Sequence, residues 1–199
     1  MSRWIRAITG GLVLCLCLSL CGFEGRCDDL RSRVLRLHIL ANSDSDADQA
    51  LKLRVRDAVV QASAGWLDGV ESAEDAERVV SGRLPELTEV ARQVIRQAGY
   101  DYPVTAQRCE MYFTTRQYGA VTLPAGRYQA VRFVIGEGAG HNWWCVIFPP
   151  LCVAAATDAA TTADVLTREE DEIVTQPQRY AVRLKVVEWW EEIAHWFGG

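Results

Sequence analysis

Between Gly136 and Cys152 the chain reads GEGAGHNWWCVIFPPLC, a stretch rich in the residue types from which active sites are built. His141 and Cys145 stand four positions apart, as a thiol nucleophile and its base would need. With Cys152 they also offer three zinc ligands. Neither chemistry is completed. A nucleophilic thiol acts as the thiolate and sits at a helix N-terminus or beside a cation, where its pKa falls. Cys145 instead lies inside the apolar run WWCVIF, and only the adjacent Asn142 is placed to orient His141. Zinc needs a fourth ligand, and intervals of three and then six residues match no common site. GEGAG lacks the Lys-Ser/Thr of a phosphate loop and the helix that should follow GxGxxG. A Cys145–Cys152 disulfide fits better, with VIFPPL folding back at Pro149–Pro150 to set the cysteines opposite each other. Two buried reduced thiols are the alternative. No catalytic residue, metal or cofactor is expected.

A second chemical pattern, NSDSDAD, alternates Asp44, Asp46 and Asp48 as a calcium loop would. Such a loop needs Gly at its sixth position and Glu at its twelfth. Counted from Asp44 those positions hold Gln49 and Val55, and from Asn42 they hold Ala47 and Leu53. Neither register works. Helix capping explains the run instead: Ser45 with Asp48 three later is a capping box with Asp in place of Glu, and Asp48 with Lys52 adds an i,i+4 pair.

Whether the cysteines pair depends on compartment. Arg3 and Arg6 precede fourteen uncharged residues, Ala7 to Leu20, which fit a secretory h-region and fall short of the ~20 needed to span a bilayer. Residues 1–22 are read as a signal peptide, or as an N-terminal anchor if uncleaved. Cleavage near Cys21 leaves roughly 178 residues, enough for one domain with a substantial core. It also leaves Cys27, Cys109, Cys145 and Cys152, an even set with three full pairings. Of the 21 basic and 26 acidic side chains, loss of Arg3 and Arg6 leaves 19 basic, and the formal charge moves from −5 to −7. That balance excludes nucleic acid, which basic side chains must neutralise, and disfavours anionic lipid. Contact with a membrane is expected only through a retained N-terminus.

The elements that must position these residues follow from periodicity. Val34, Leu35, Leu37, Ile39 and Leu40 predict a strand, and Leu51, Val55, Ala58, Val59 and Ala62 a helix face. A second helical region begins near Ser72, interrupted by Gly82 and Pro85 and stopped by Gly99. VTAQRCEMYFTT and GRYQAVRFVIG alternate as strands, with QYGAVTLPAG between them as a turn-rich connector. WWCVIF reads as a central strand buried on both faces, and GEGAGHN as a mobile approach to it. Residues 153–176 read as a mobile Ala/Thr-rich loop with a short helix around Thr167 to Ile173. A last helix runs from Pro177 to about Phe197, with Tyr180, Leu184, Val187, Ala194 and Phe197 on one face and most of its tryptophans packed on the sheet. The expected architecture is a single α+β domain over residues 30–197. It has a short antiparallel or mixed sheet, two to three helices in the N-terminal half and a C-terminal amphipathic helix.

Three strings, HILANSDSDADQALKLRVRDAVV, YGAVTLPAGRYQAVRFVIGEGAGHNWWCVIFPPLC and YAVRLKVVEWWEEI, together resemble the stage II sporulation protein R family. The resemblance runs from about Leu35 to Ile193. It implies an intercellular signal of endospore formation, secreted by the forespore into the space between the two membranes. There a family member triggers a membrane-embedded aspartic protease of the mother cell, which processes pro-sigma-E. The family supplies no catalytic residue to carry over. The partner surface is expected at Gly138, His141, Asn142, Trp143, Trp144 and Tyr118, with Asn42 and Asp44 at its rim. The rival reading is a secreted thiol- or metal-dependent hydrolase using Cys145 and His141.

Overall fold

The computed structural model describes residues 3–118, 121–150 and 166–198. A long helix α1 (Arg3–Ser32) leads into β1 (Leu35–Leu40). Three helices follow: α2 (Asp46–Ala64), α3 (Ala73–Gly82) and α4 (Leu84–Gln97). The interruption expected at Gly82 and Pro85 is the break between α3 and α4, with Pro in the first turn of the latter, where no donor is lost. Then come β2 (Val104–Phe113), β3 (Arg116–Tyr118), β4 (Val121–Leu123), β5 (Gly126–Ile135) and β6 (Asn142–Phe148), and last α5 (Arg168–Thr175) and α6 (Pro177–Gly198). Thr167 caps α5 in a reciprocal box with Glu170.

The main sheet is mixed, in the order β2-β5-β1-β6. β1 runs parallel to β5 and antiparallel to β6, and β2 is antiparallel to β5. Leu35, Leu37 and Ile39 face one way, joining Val131, Phe133 and Ile135 of β5 against Leu51, Val55 and Val59 of α2 and Leu87, Ala91 and Ile95 of α4. The opposite face carries Arg36 and His38 of β1 with Tyr128 and Ala130 of β5. There Leu30 of α1, Val121 and Leu123 of β4 and Val174 of α5 complete a second core. A third cluster joins Phe23 and Cys27 of α1 to Ile173, Leu184 and Val187.

Arg31 ties these layers together. Buried at the end of α1, it donates twice to Ala125 O (3.0 and 2.6 Å) and meets Glu24, Asp28 and Glu191 at 2.8, 2.6 and 3.2 Å. Gly126 is required beside it: its φ is +144°, and a Cβ there would run into the guanidinium.

Four expectations are corrected. WWCVIF is the edge strand β6; its apolar character reflects two covered faces, which a central position shares and sequence does not separate. The connector QYGAVTLPAG holds the two-stranded β3–β4 hairpin, residues 119 and 120 lying outside the described set. Lys52 does not pair with Asp48; its ammonium donates to Gln49 Oε1 (2.5 Å) and His141 O (2.8 Å). Tyr180, Leu184 and Val187 do face inward, but Trp189, Trp190, Ile193, Ala194 and Trp196 face solvent. The side chain of Phe197 and residues 151–165, with Cys152 and most of the Ala/Thr-rich loop, lie outside the described residues.

Phe133 is fully buried at the centre of the sheet. Phe133→Ala is expected to lower stability by about 3–5 kcal/mol through lost burial and the cavity left behind, read as a lower urea midpoint at unchanged slope.

Candidate functional site

At the carboxyl end of β1 the chain turns through Ala41–Ser45, and Ser45 caps α2 by accepting from Asp48 N. The Asp48 carboxylate does not reach back to complete the box. It accepts instead from Ser43 Oγ (2.5 Å) and Asn42 Nδ2 (2.9 Å), and these donors, Ser43 foremost, hold it below its ordinary 3.8. Asn42 has a second use. Its Oδ1 accepts from Glu137 N (3.0 Å) and its backbone carbonyl from Ala139 N (3.1 Å). Gly140 N donates to Ala41 O, and His141 N to Asp44 Oδ1 at 2.6 Å. The same Asp44 oxygen lies 2.5 Å from His141 Nδ1. Gly136 N and Gly138 N find Pro103 O and Ile135 O, so every backbone donor from 136 to 141 is engaged. The segment read as a mobile approach is therefore a pinned turn, clamped to a loop some 95 residues earlier. Gly136 makes the closeness possible: its φ is +58°, and a Cβ would strike the Asn42 side chain.

Asn142 carries this surface into the second layer. Its Oδ1 bonds His38 Nε2 at 2.8 Å, which places the ring proton on Nε2. The His38 ring stacks on Trp144 at 4.1 Å and 5°, and Phe113 meets Trp144 edge-on at 4.8 Å. Two residues back along β1 and on the same face, Arg36 is buried. Its Nε donates to Cys145 O (3.1 Å) and its NH2 to the Tyr118 hydroxyl (2.6 Å), while the rings of Phe113 and Tyr128 lie 4.2 and 4.9 Å from its Cζ. Trp143 points to the other face, under the Arg56 guanidinium at 4.5 Å.

The expected site residues therefore divide. Asn42, Asp44, Gly138 and His141 form one end surface, which Asn142 borders. Trp144 and Tyr118 belong to the layer beneath it, and Trp143 lies on the helical face. Arg36, His38 and Arg56 were not singled out from sequence, and Lys52 only as a helix partner of Asp48. Their only local signal was the polar alternation within LRLHIL and the spacing along α2. His141 and Cys145 are not brought together: the extended strand separates Asn142 from Cys145 by roughly 10 Å. Cys145 faces the helical core beside Leu37, away from the end surface that carries His141. No two described cysteines are joined; Cys15, Cys27 and Cys109 are free, and Cys152 lies outside the described residues. Burial pushes the Cys27 thiol up to about 12. Among the described residues no three His, Cys, Asp or Glu side chains gather as a metal set, and no helix is long and apolar enough to cross a membrane.

What this geometry defines is an α+β domain that spends its polar side chains on fixing a surface. The profile of the stage II sporulation protein R family matches residues 31–158, and the chain belongs to that family of sporulation proteins. It is 42% identical over 120 residues to stage II sporulation protein R of Bacillus subtilis (strain 168). That alignment covers 60% of this chain and 54% of the relative, so the chain spans about half the length of that curated protein. No solved structure matches it.

Two outcomes test the site's construction. Burial holds His38 below its ordinary 6.5, so the folded state favours the neutral ring and the unfolded chain takes up the proton first. The stability this supplies is intact above about 6.5 and is lost as pH falls toward the folded-state pKa. Denaturant midpoints between pH 7 and 5 should fall more steeply for the wild type than for His38→Phe. Gly136→Ala should cost about 1–2 kcal/mol for the left-handed backbone alone, with faster amide exchange at residues 137–141.

Proposed function

We propose that this chain is an exported intercellular signal of endospore formation. In this reading it binds the extracytoplasmic part of a membrane-embedded aspartic protease, whose activation leads to processing of pro-sigma-E in the mother cell. Membership of the stage II sporulation protein R family supports the biological setting. The observation that carries the mechanism is the clamp between Asn42–Asp44 and Gly136–His141. It makes an exposed turn into a surface of fixed shape, with Glu137, Ala139 and His141 outermost.

A ligand shifts a protease between states only by binding one of them better. A surface already ordered loses less conformational entropy on docking than a flexible loop, so more of its contact energy is available for that bias. Export is supported by the basic start and apolar run at residues 3–20. Among the described α1 side chains the buried ones begin at Phe23, so cleavage near residue 22 would leave them all in the mature domain. A retained N-terminus would tether the domain to the membrane.

The test is reconstitution of the protease, its pro-sigma-E substrate and this purified chain, scored by cleavage. The wild type should raise cleavage. Glu137→Lys with Ala139→Arg should lower it at least tenfold at unchanged thermal stability, because only the backbone of these residues takes part in the clamp. Full activity in that variant would misplace the surface, and no stimulation by the wild type would sink the function.

A further inference from the structure

α6 has two apolar faces, and among the described residues one of them packs inside the domain while the other is largely exposed. Tyr180, Leu184 and Val187 pack on α1 and α5. Val182, Trp189, Ile193 and Trp196 succeed one another at intervals of seven, four and three residues, which sets them in one stripe on the opposite side. They are 79, 57, 53 and 76% exposed, and Trp190 beside them is 64% exposed. The stripe is roughly 21 Å long. From ordinary side-chain areas it presents on the order of 700 Å² of apolar surface. That exceeds the ~300–600 Å² of the largest patch on a typical monomer and approaches the ~800 Å² each partner gives to a stable interface.

The charges beside the stripe select its occupant. Lys185 and Glu192 are seven residues apart and share one flank. If two copies of α6 cross antiparallel about Trp189, Lys185 of each copy faces Glu192 of the other, and the twofold axis makes this pair twice. A parallel pair would set these two flanks on opposite sides of the interface and make neither contact. A lipid surface would favour basic flanks, whereas Glu188 and Glu192 lie here. We propose that the outer face of α6 is a self-association surface that takes the same face of a second copy, antiparallel and centred on Trp189.

Sedimentation equilibrium of the purified full chain tests this without any protease. The expected mass is twice the 22.2 kDa of the monomer. Trp189→Glu with Ile193→Glu should give monomer at every concentration, with circular dichroism unchanged because the inner face is untouched and with melting that no longer depends on concentration. Lys185→Glu should weaken the dimer roughly tenfold by turning both pairs repulsive, and adding Glu192→Lys should restore it to within about threefold of wild type. A wild type that stays monomeric to roughly 100 μM would overturn the proposal. So would a dimer that survives the double glutamate substitution, or a charge swap that fails to rescue. Monomeric chain captured by phosphatidylcholine vesicles, with capture lost on Trp189→Glu, would reassign the stripe to lipid.

Discussion

β1 is six residues long and hydrogen-bonded on both sides, and its register brings the candidate surface into being. Leu40 lies opposite Val134 of the parallel neighbour and Asn142 of the antiparallel one. Two strands therefore leave the sheet, and one enters it, at the same level. The loops that follow β1 and β5 must share that edge, although Asn42 and Glu137 are 95 positions apart. Asn42 serves both: its amide nitrogen donates to Asp48 at the start of α2, and its oxygens accept from the 137–139 turn. The close approach has a backbone condition as well as a side-chain one, which glycine at 136 meets.

The same strand imposes a second condition beneath the surface. Arg36 has no carboxylate partner among the described residues, and an unpaired ion taken out of water costs several kcal/mol. Part of that cost is offset by the Cys145 carbonyl and the Tyr118 hydroxyl, and part by the faces of Phe113 and Tyr128. This accounts for the aromatic character of the second layer and for the small β3–β4 hairpin, which supplies Tyr118. Through the Trp144 carbonyl, which accepts from Tyr118 at 3.3 Å, and the His38–Trp144 stack, the buried layer is continuous with Asn142 at the rim.

Local signals were legible in the sequence because local chemistry decides them. Ser45 had to cap, Gly82 and Pro85 had to divide a helix, glycines at 126 and 136 had to bound β5, and Pro177 had to open α6. What failed was competition between partners remote in sequence. Lys52 had Asp48 within helical reach, yet the His141 carbonyl and Gln49 hold it. Position within the sheet failed for a related reason: an apolar strand covered on both faces reads alike at the centre and at the edge. Three-residue strands such as β3 and β4 carry too little periodicity to stand out from a connector. For α6 the spacing set Tyr180, Leu184 and Val187 inward, where the domain has them, but the tryptophans expected on the sheet face solvent. Most of the candidate surface was named from sequence, whereas the Asp44–His141 contact that unites it was not.

The two surfaces lie at opposite ends of β1. Arg31, four residues before the strand, is bonded to Glu191 of α6, while the clamp begins directly after Leu40. A six-residue strand separates its ends by roughly 20 Å, so a pair joined through α6 leaves both clamped loops free. Under the proposed function, two copies of the protease could then be engaged by a single pair of domains. The second engagement would be effectively intramolecular and stronger than the first with no new contact. A modest affinity at each loop surface would then suffice, and a response built this way would rise steeply with the amount of chain, since the pair itself forms only above its own dissociation constant.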